Sequence, residues 1–180
     1  MKISIYSEKG GAGKSTLAVA LAFAFNLAIV DLDPQRVSGD HVQGRDPKTL
    51  APGWIADFPA GMDLSLAQHL QQSDLIIIPA RPTWPDLKGL GQTIKYVQAH
   101  AGKATKIALF ANAISAKSSD LAMFIEGAAA YGLPIIGHFT QRVAYGRAGL
   151  RQQRFGELDR VAGQEVEKVA AAVKKLIKGV

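Results

Sequence analysis

The residues whose types and spacing could do chemistry stand together near the N-terminus, in the run Lys9-Gly10-Gly11-Ala12-Gly13-Lys14-Ser15-Thr16. This run follows a short apolar strand pattern and opens a helical one. Glycines allow left-handed backbone angles and close approach, so successive N–H groups can point at one phosphate while the helix N-terminus adds partial positive charge. Lys14 can bridge two phosphate oxygens, and the Ser15 hydroxyl can bind Mg²⁺. The run therefore predicts a nucleotide phosphate site with Mg²⁺ as its metal.

The glycine spacing departs from the commonest phosphate-binding loop. The pattern G-x-x-x-x-G-K-[ST] needs a glycine at position 8, where this chain has Glu8. The run instead matches the deviant form K-G-G-x-G-K-[ST], in which Lys9 is an additional lysine. A chance glycine-rich turn is the alternative, but eight matched positions between a strand and a helix argue against it.

Two further motifs place carboxylates at predicted strand ends: Val30-Asp31-Leu32-Asp33-Pro34-Gln35 and Ile55-Ala56-Asp57-Phe58-Pro59. With the Lys9 run, they make the chain resemble the ParA/MinD family of P-loop ATPases, which carries D-x-D-P-Q and a Walker B element ending in Asp. Segments 76–80 and 140–142 are also similar to small plasmid-partition proteins of the ParF type. The separation between Asp33 and Asp57, 23 residues, is shorter than is usual in that family.

The resemblance implies a role for each charged residue of these motifs. Lys9 would reach across an ATP-sandwich dimer to the phosphates of the ATP bound by the partner. Lys14 would bind the phosphates of the ATP in its own chain, and both lysines would add positive charge in the transition state. Asp33 would orient the attacking water. Asp57 would hold Mg²⁺ through a coordinated water, and Asp31 would support the metal shell or the loop. Turn capping is the alternative for Asp31 and Asp33, because Asp before Pro often initiates a turn.

Asn112 is a further candidate for nucleotide binding, because it lies just past a predicted strand end and could hydrogen-bond adenine. Capping of the loop that follows is the alternative for this residue. The four histidines, at positions 41, 69, 100 and 138, lack metal-ligand spacing and are assigned no role.

Short apolar runs alternate with helical patterns along the chain, which predicts βαβ units. The fold class is therefore α/β, a doubly wound, mostly parallel sheet flanked by helices, as one P-loop domain over residues 1–180, with ligands at the carboxyl ends of the strands. Segment 34–53, with three prolines and three glycines, predicts one loop and not a crossover helix. The predicted strands are 2–7, 27–32, 54–57, 75–79, 106–111 and 134–138, and the predicted helices are 14–25, 64–72, 85–99, 120–131 and 163–178.

Composition restricts the remaining function classes. The 180 residues include no cysteine, which excludes disulfide scaffolds, thiolate zinc sites, iron–sulfur clusters with cysteine ligands and cysteine nucleophiles. The N-terminus has no signal-peptide pattern, and no window reaches the ~18 apolar residues of a membrane span. We therefore expect a cytoplasmic protein.

The net charge of +6 is concentrated at one end of the chain. Residues 1–140 hold 12 Lys/Arg against 11 Asp/Glu, whereas residues 141–180 hold 9 against 4. Such a region favours a polyanion, with a solvated helix face as the alternative that charge alone does not exclude. ParA-type proteins, which the chain resembles, bind nonspecific DNA as ATP dimers. The candidate DNA contacts, chosen by charge, are Arg142, Arg147, Arg151 and Arg154.

A membrane tether is the rival interpretation of the same region. The apolar residues of segment 166–177 form a helical stripe with lysines beside it, and MinD-like proteins use such a helix. The stripe lacks Trp and Phe, and packing of a last helix on the sheet also explains it, so DNA is preferred to a membrane.

Together these features predict a ParA-like ATPase that converts ATP and water to ADP and phosphate, slowly and under stimulation by a partner. It would form an ATP-dependent homodimer, bind nonspecific DNA on the nucleoid, and position a plasmid, chromosome or protein cargo, with a ParB-like or cargo-adaptor protein as activator. The alternatives are a MinD-like membrane-associated ATPase, a metabolic P-loop kinase or ligase, and a nucleotide-binding scaffold with negligible turnover.

Overall fold

A six-stranded parallel sheet is the frame on which the predicted motifs are placed. The computed structural model describes residues 1–42, 45–61, 63–115, 119–151 and 153–179, with the backbone alone at 47 and 149–151. Within these residues the strand order is β2-β3-β1-β4-β5-β6, with every neighbouring pair parallel. The strands are β1 (Lys2–Ile5), β2 (Ala28–Asp31), β3 (Trp54–Asp57), β4 (Leu75–Ala80), β5 (Lys106–Ile114) and β6 (Ile135–Thr140).

Helices connect the strands and cover both faces of the sheet, which confirms the predicted α/β class. Segment 34–53 is not one loop as predicted, because it contains a short helix, α2, and a 3₁₀ turn at Pro47–Thr49. Two helices near the C-terminus, α6 and α7, were not predicted. The helices are α1 (Lys14–Phe25), α2 (Val37–His41), α3 (Ala67–Gln71), α4 (Trp84–His100), α5 (Asp120–Ala129), α6 (Val143–Arg151), α7 (Phe155–Leu158) and α8 (Arg160–Lys178).

The sheet separates two apolar cores, because successive side chains of a strand point to opposite faces. In β4, Leu75 and Ile77 enter the core under α1 and α8, whereas Ile76 and Ile78 enter the core under α4 and α5. The α1 sequence is apolar on nearly every side, and the helix is buried between the sheet and α8.

The apolar stripe of α8 belongs to the first core. Val169, Ala170 and Val173 are buried there, close to Phe139 of β6. In the part of the chain that the structure describes, no helix is long and apolar enough to cross a bilayer. The apolar stripe of α8 therefore packs in the core against the sheet, as the packing interpretation predicted.

The order of the strands brings the motif residues to one edge of the sheet. β1 lies between β3 and β4, where the connections leave in opposite directions, and ligands of open α/β sheets bind at that point. Asp31 and Asp57 pair in register at the ends of β2 and β3, and Asp57 also pairs with Ile5 at the end of β1. The loop after β1 therefore starts beside both carboxylates.

Candidate functional site

The loop between β1 and α1 has the backbone of a phosphate cradle. Gly11 and Gly13 have φ angles of 71° and 98°, which L side chains rarely adopt. A Cβ at Gly13 would lie 2.0 Å from Nδ2 of Asn112, so glycine is also required by space. The Leu17 amide donates to the Gly13 carbonyl at 3.0 Å, which starts α1 directly after the loop.

Lys14 lies inside this loop with a side chain that is almost fully buried. Its Nζ donates to the Lys9 carbonyl at 3.1 Å. Burial lowers the pKa of Lys14, and the nearby carboxylates of Asp57 and Asp33 oppose that shift. The ammonium is thus held at the centre of the cradle, where phosphate oxygens could replace the carbonyl as its acceptor.

A cavity of about 460 Å³ opens over the loop. It is lined by most of the predicted phosphate and metal residues, namely Gly10, Gly11, Gly13, Lys14, Ser15, Thr16, Asp33 and Asn112. Ala12 is buried behind them. Sequence reasoning missed Gln35, Ala60 and Arg81, which also line the cavity. Arg81 directly follows β4, and the pairing of β4 with β1, which the local sequence does not show, brings it to the site.

Arg81 adds a second cation close to the cradle. Its guanidinium Nη2 would lie 3.2 Å from a Cβ built on Gly11. A glycine at position 11 therefore lets the guanidinium approach the loop backbone. Arginine binds phosphate oxygens through two parallel N–H groups, so this placement suits an anionic ligand.

Asn112 supports the loop from below. Its Nδ2 donates to the Ala12 carbonyl at 2.9 Å, across 100 residues of sequence. The next residue, Ala113, has a φ of 55°, and the β5–β6 register shifts around it. Asn112 lies inside β5, which runs to Ile114, and not past the strand end as predicted. Its hydrogen bond to the loop is a structural contact, and recognition of adenine by Asn112 stays a prediction.

Asp57 is a fully buried carboxylate without a hydrogen-bond partner among the described residues. Burial raises its pKa to about 6, while the nearby Ser15 and Ser38 hydroxyls and the Lys14 ammonium lower it in part. A buried carboxylate is costly without compensation. Oxygen ligands of this kind, reached through coordinated waters, are what Mg²⁺ prefers, so Asp57 and Ser15 fit a magnesium site.

Asp31 organises the turn that follows β2. Its Oδ1 accepts the Asp33 amide at 3.0 Å, and its Oδ2 accepts the Ser38 hydroxyl at 2.9 Å and the Gly39 amide at 2.7 Å. These bonds favour the loop-supporting role for Asp31. Asp33 accepts the Gln35 amide at 2.9 Å and also lines the cavity, so it shapes the turn and faces the site together.

Lys9 points away from the cradle that its own loop forms. Its Nζ lies 3.4 Å from Oδ1 of Asp86, at the start of α4, and its side chain is 44% exposed. Among the described residues that line the 460 Å³ cavity, Lys9 is absent. The two lysines of the loop therefore lie in different places, one inside the site and one on the surface beside it.

The predicted basic contacts fall into three groups. Arg142 is engaged within the chain, because it donates to Asp159 at 3.0 Å and lies 3.7 Å from Glu165. Arg147 and Arg154 have exposed side chains, and neither forms a salt bridge with another described residue. The side chain of Arg151 lies outside the described residues.

Glu165 holds the end of β6 to α6 and α8. Its carboxylate accepts the Thr140 amide at 3.0 Å, the Thr140 hydroxyl at 2.6 Å and the Tyr145 hydroxyl at 2.7 Å. Arg142 lies beside the same carboxylate and also donates to the Thr140 hydroxyl. The basic segment thus starts from a partly buried polar network around Glu165.

The comparisons with known proteins agree with this geometry. The model of the CobQ/CobB/MinD/ParA nucleotide binding domain matches residues 3–155. Among curated proteins, no sequence matches significantly.

Solved structures resemble the chain over nearly its whole length. Apo McdA from Cyanothece has a TM-score of 0.79 at 16% identity, covering 96% of this chain and 98% of its own. A Borrelia burgdorferi B31 protein assigned to plasmid partition, bound to AMPPNP, has 0.75 at 16%, covering 97% and 98%. A Mycobacterium smegmatis cobyrinic acid a,c-diamide synthase with an ATP analogue and magnesium has 0.75 at 15%, covering 99% and 96%. These likenesses show the fold, and with the match over 3–155 they establish that the chain belongs to the CobQ/CobB/MinD/ParA family of nucleotide-binding domains.

Proposed function

We propose that the chain is a ParA-type ATPase that binds Mg-ATP, dimerises around it, binds nonspecific DNA as the dimer, and is reset when a partner stimulates hydrolysis. The observation that carries this proposal is the separation of the two loop lysines. Lys14 is buried in the cradle, whereas Lys9 is half exposed and pairs with Asp86. A lysine placed outside its own site can act in the site of a second copy.

Phosphate binding would begin with Lys14. Its ammonium exchanges the Lys9 carbonyl for phosphate oxygens, and the glycine amides and the start of α1 complete the cradle. Ser15 and Asp57 would hold Mg²⁺, Asp57 through water. The metal ion would neutralise negative charge on the phosphates.

Hydrolysis would depend on positioning more than on covalent chemistry. Asp33 is held by its bonds to the Asp31 and Gln35 groups, and in this proposal it would orient a water in line with the γ-phosphate. The water oxygen bonds to phosphorus as the bond to the ADP oxygen breaks, giving ADP and phosphate. Lys9 of a second copy, released from Asp86, would stabilise the charge of the transition state.

Turnover and assembly test the role of Lys9. We expect Lys9→Ala to lower ATP turnover and to weaken the ATP-dependent dimer in light-scattering chromatography. We expect Asp33→Ala to keep the ATP dimer but to stall hydrolysis. Lys95→Ala, an exposed lysine of α4, is the matched control. Unchanged turnover in Lys9→Ala would refute action across the dimer.

DNA retention tests the binding step. With ATP or a nonhydrolysable analogue, but not with ADP, we expect retention that falls steeply as salt rises, because phosphate contacts release counterions. Arg147→Ala and Arg154→Ala should each reduce the salt slope by about 1, whereas Lys95→Ala should leave it unchanged. Equal retention in every nucleotide state would refute the switch, and ATP-dependent binding to anionic vesicles without DNA binding would favour a MinD-like function.

A metabolic kinase or ligase is the second candidate. The cobyrinic acid synthase shares the fold, and a second cavity of about 420 Å³ lies between β6, α6 and α7, lined by Gln141, Arg142, Arg147 and Asp159 among others. Such a cavity could hold a small acceptor. ADP formation that requires a small carboxylate or amine substrate, and not DNA or a protein partner, would favour this candidate.

A further inference from the structure

Helix α2, which lies in the segment predicted to be a loop, is anchored at the carboxylate edge of the site. Ser38 is fully buried and donates to Asp31 at 2.9 Å, and its hydroxyl is also close enough to act on Asp57. The adjacent Gly39 amide donates to the same Asp31 oxygen at 2.7 Å. A serine hydroxyl has one proton, so Ser38 donates it to Asp31 and not to Asp57.

The other end of α2 is anchored on the basic segment. The His41 ring donates through Nε2 to the Gln153 carbonyl at 3.0 Å, in the connection between α6 and α7. The same ring packs edge-on against Phe155 of α7 and Phe23 of α1, at centroid distances of 5.8 and 6.0 Å. Gln153 directly precedes Arg154, whose guanidinium also lies over the Phe23 ring.

The entry to α2 is under backbone strain. Arg36, the residue before the helix, has φ 52° and ψ 28°, a left-handed conformation that a non-glycine residue adopts at a cost. Its amide donates to the Asp33 carbonyl at 2.9 Å. A strained residue between Asp33 and Ser38 is a place where a small shift of Asp33 can change the position of the helix.

We propose that α2 couples the carboxylate edge of the site to the basic segment, with Ser38 as the positioning residue at one end and His41 at the other. Occupation of the site by a Mg-nucleotide rearranges the surroundings of Asp31, Asp33 and Asp57. The Ser38 and Gly39 bonds transmit that change to α2, and the His41 bond transmits it to the α6–α7 connection. The response of α2 to a nucleotide rests on the proposed function, whereas the contacts of Ser38 and His41 are present in the protein without nucleotide.

Amide hydrogen exchange measures both ends of this link. In the protein without nucleotide, Ser38→Ala should accelerate exchange at residues 37–41 and 153–158 by roughly fivefold, the equivalent of one hydrogen bond. Ser65→Ala is the matched control, because Ser65 also donates to an aspartate, Asp63, but is exposed and outside the link. It should change neither segment.

His41→Phe separates the hydrogen bond from ring packing, because it keeps an aromatic ring against Phe23 and Phe155. The double variant Ser38→Ala/His41→Phe is then compared with the single variant His41→Phe. Exchange at residues 37–41 should be faster in the double variant, whereas exchange at residues 153–158 should be the same in both. In the wild type, Mg-ADP should slow exchange both in α2 and at residues 153–158. In His41→Phe, Mg-ADP should slow exchange in α2 but not at residues 153–158.

The outcomes separate the two proposals. Acceleration at 153–158 by Ser38→Ala, with no effect of Mg-ADP anywhere, supports the link and refutes the nucleotide function. Slowing by Mg-ADP confined to the loop before α1, with no effect of Ser38→Ala at 153–158, supports nucleotide binding and overturns the link. An undiminished response of 153–158 in His41→Phe also overturns it.

Discussion

Replacement of Gly13 by alanine tests the packing of the loop against β5. The backbone at Gly13 has φ 98° and ψ 23°, and a Cβ there would lie 2.0 Å from Nδ2 and 2.6 Å from Cγ of Asn112. Two costs follow. The left-handed backbone costs an alanine about 1–2 kcal/mol, and displacement of Asn112 breaks its bond to the Ala12 carbonyl, at about 1–3 kcal/mol.

The two costs add to about 2–5 kcal/mol in the free energy of unfolding. For a chain of this size, that corresponds to a fall in Tm of about 4–20 °C. Urea denaturation followed by circular dichroism measures the free energy, and thermal denaturation measures the Tm. Binding of a fluorescent nucleotide should be lost in the same variant, because the displaced amide and the altered loop change the cradle.

An Asn112→Ala background isolates the contact. With the amide removed, Gly13→Ala should cost only the backbone strain, about 1–2 kcal/mol, which leaves a coupling energy of about 1–3 kcal/mol between the two positions. If Gly13→Ala costs the same in both backgrounds, Asn112 does not fill the space beside Gly13, and the reasoning is refuted.

Three further changes have defined outcomes. Because burial raises the pKa of Asp57 from 3.8 to about 6, the folded protein without ligand holds a proton that the unfolded chain releases, so its stability falls as pH rises through that window. Over this pH range the loss is roughly 3 kcal/mol, and Asp57→Asn should abolish it, which flattens the profile of unfolding free energy against pH from urea denaturation. Parallel profiles for the wild type and Asp57→Asn would contradict the burial of this carboxylate. Tyr145→Phe removes a donor to the Glu165 carboxylate and should lower the free energy of unfolding by about 2 kcal/mol; a change within error would mean the bond contributes nothing. Lys106→Met removes an ammonium that donates to the Ile177 carbonyl at 3.2 Å, so exchange in the last turn of α8 should accelerate about fivefold, with the first turn unchanged.

Much of the fold could be predicted because its signals are local. Buried parallel strands are continuous apolar runs, so 75–79 and 106–111 are read directly as strands, although β5 continues to Ile114. The loop before α1 is specified by Gly11 and Gly13, because other residues rarely adopt their positive φ angles. The carboxylates of Asp31 and Asp57 could be predicted to lie near each other, because the carboxyl ends of parallel strands meet at one edge of the sheet.

The features that sequence missed depend on distant partners. The α2 sequence, with Ser38, Gly39 and Asp40, favours a turn, and bonds to Asp31 contribute to making it a helix. Charge alone selected Arg142 as a surface contact, but Asp159 and Glu165, 17 and 23 positions away, engage it within the chain. Arg81 enters the site through the strand order, which no local pattern contains.

The burial of α1 links the lifetime of the folded chain to its ligand. The helix that begins at the phosphate cradle is enclosed by the sheet and α8, so unfolding of the core also removes the cradle. A ligand bound there at 100 times its Kd would add about 2.7 kcal/mol to the free energy of unfolding. Under proteolysis that acts on the unfolded chain, the abundance of this protein in a cell would then follow the supply of its nucleotide.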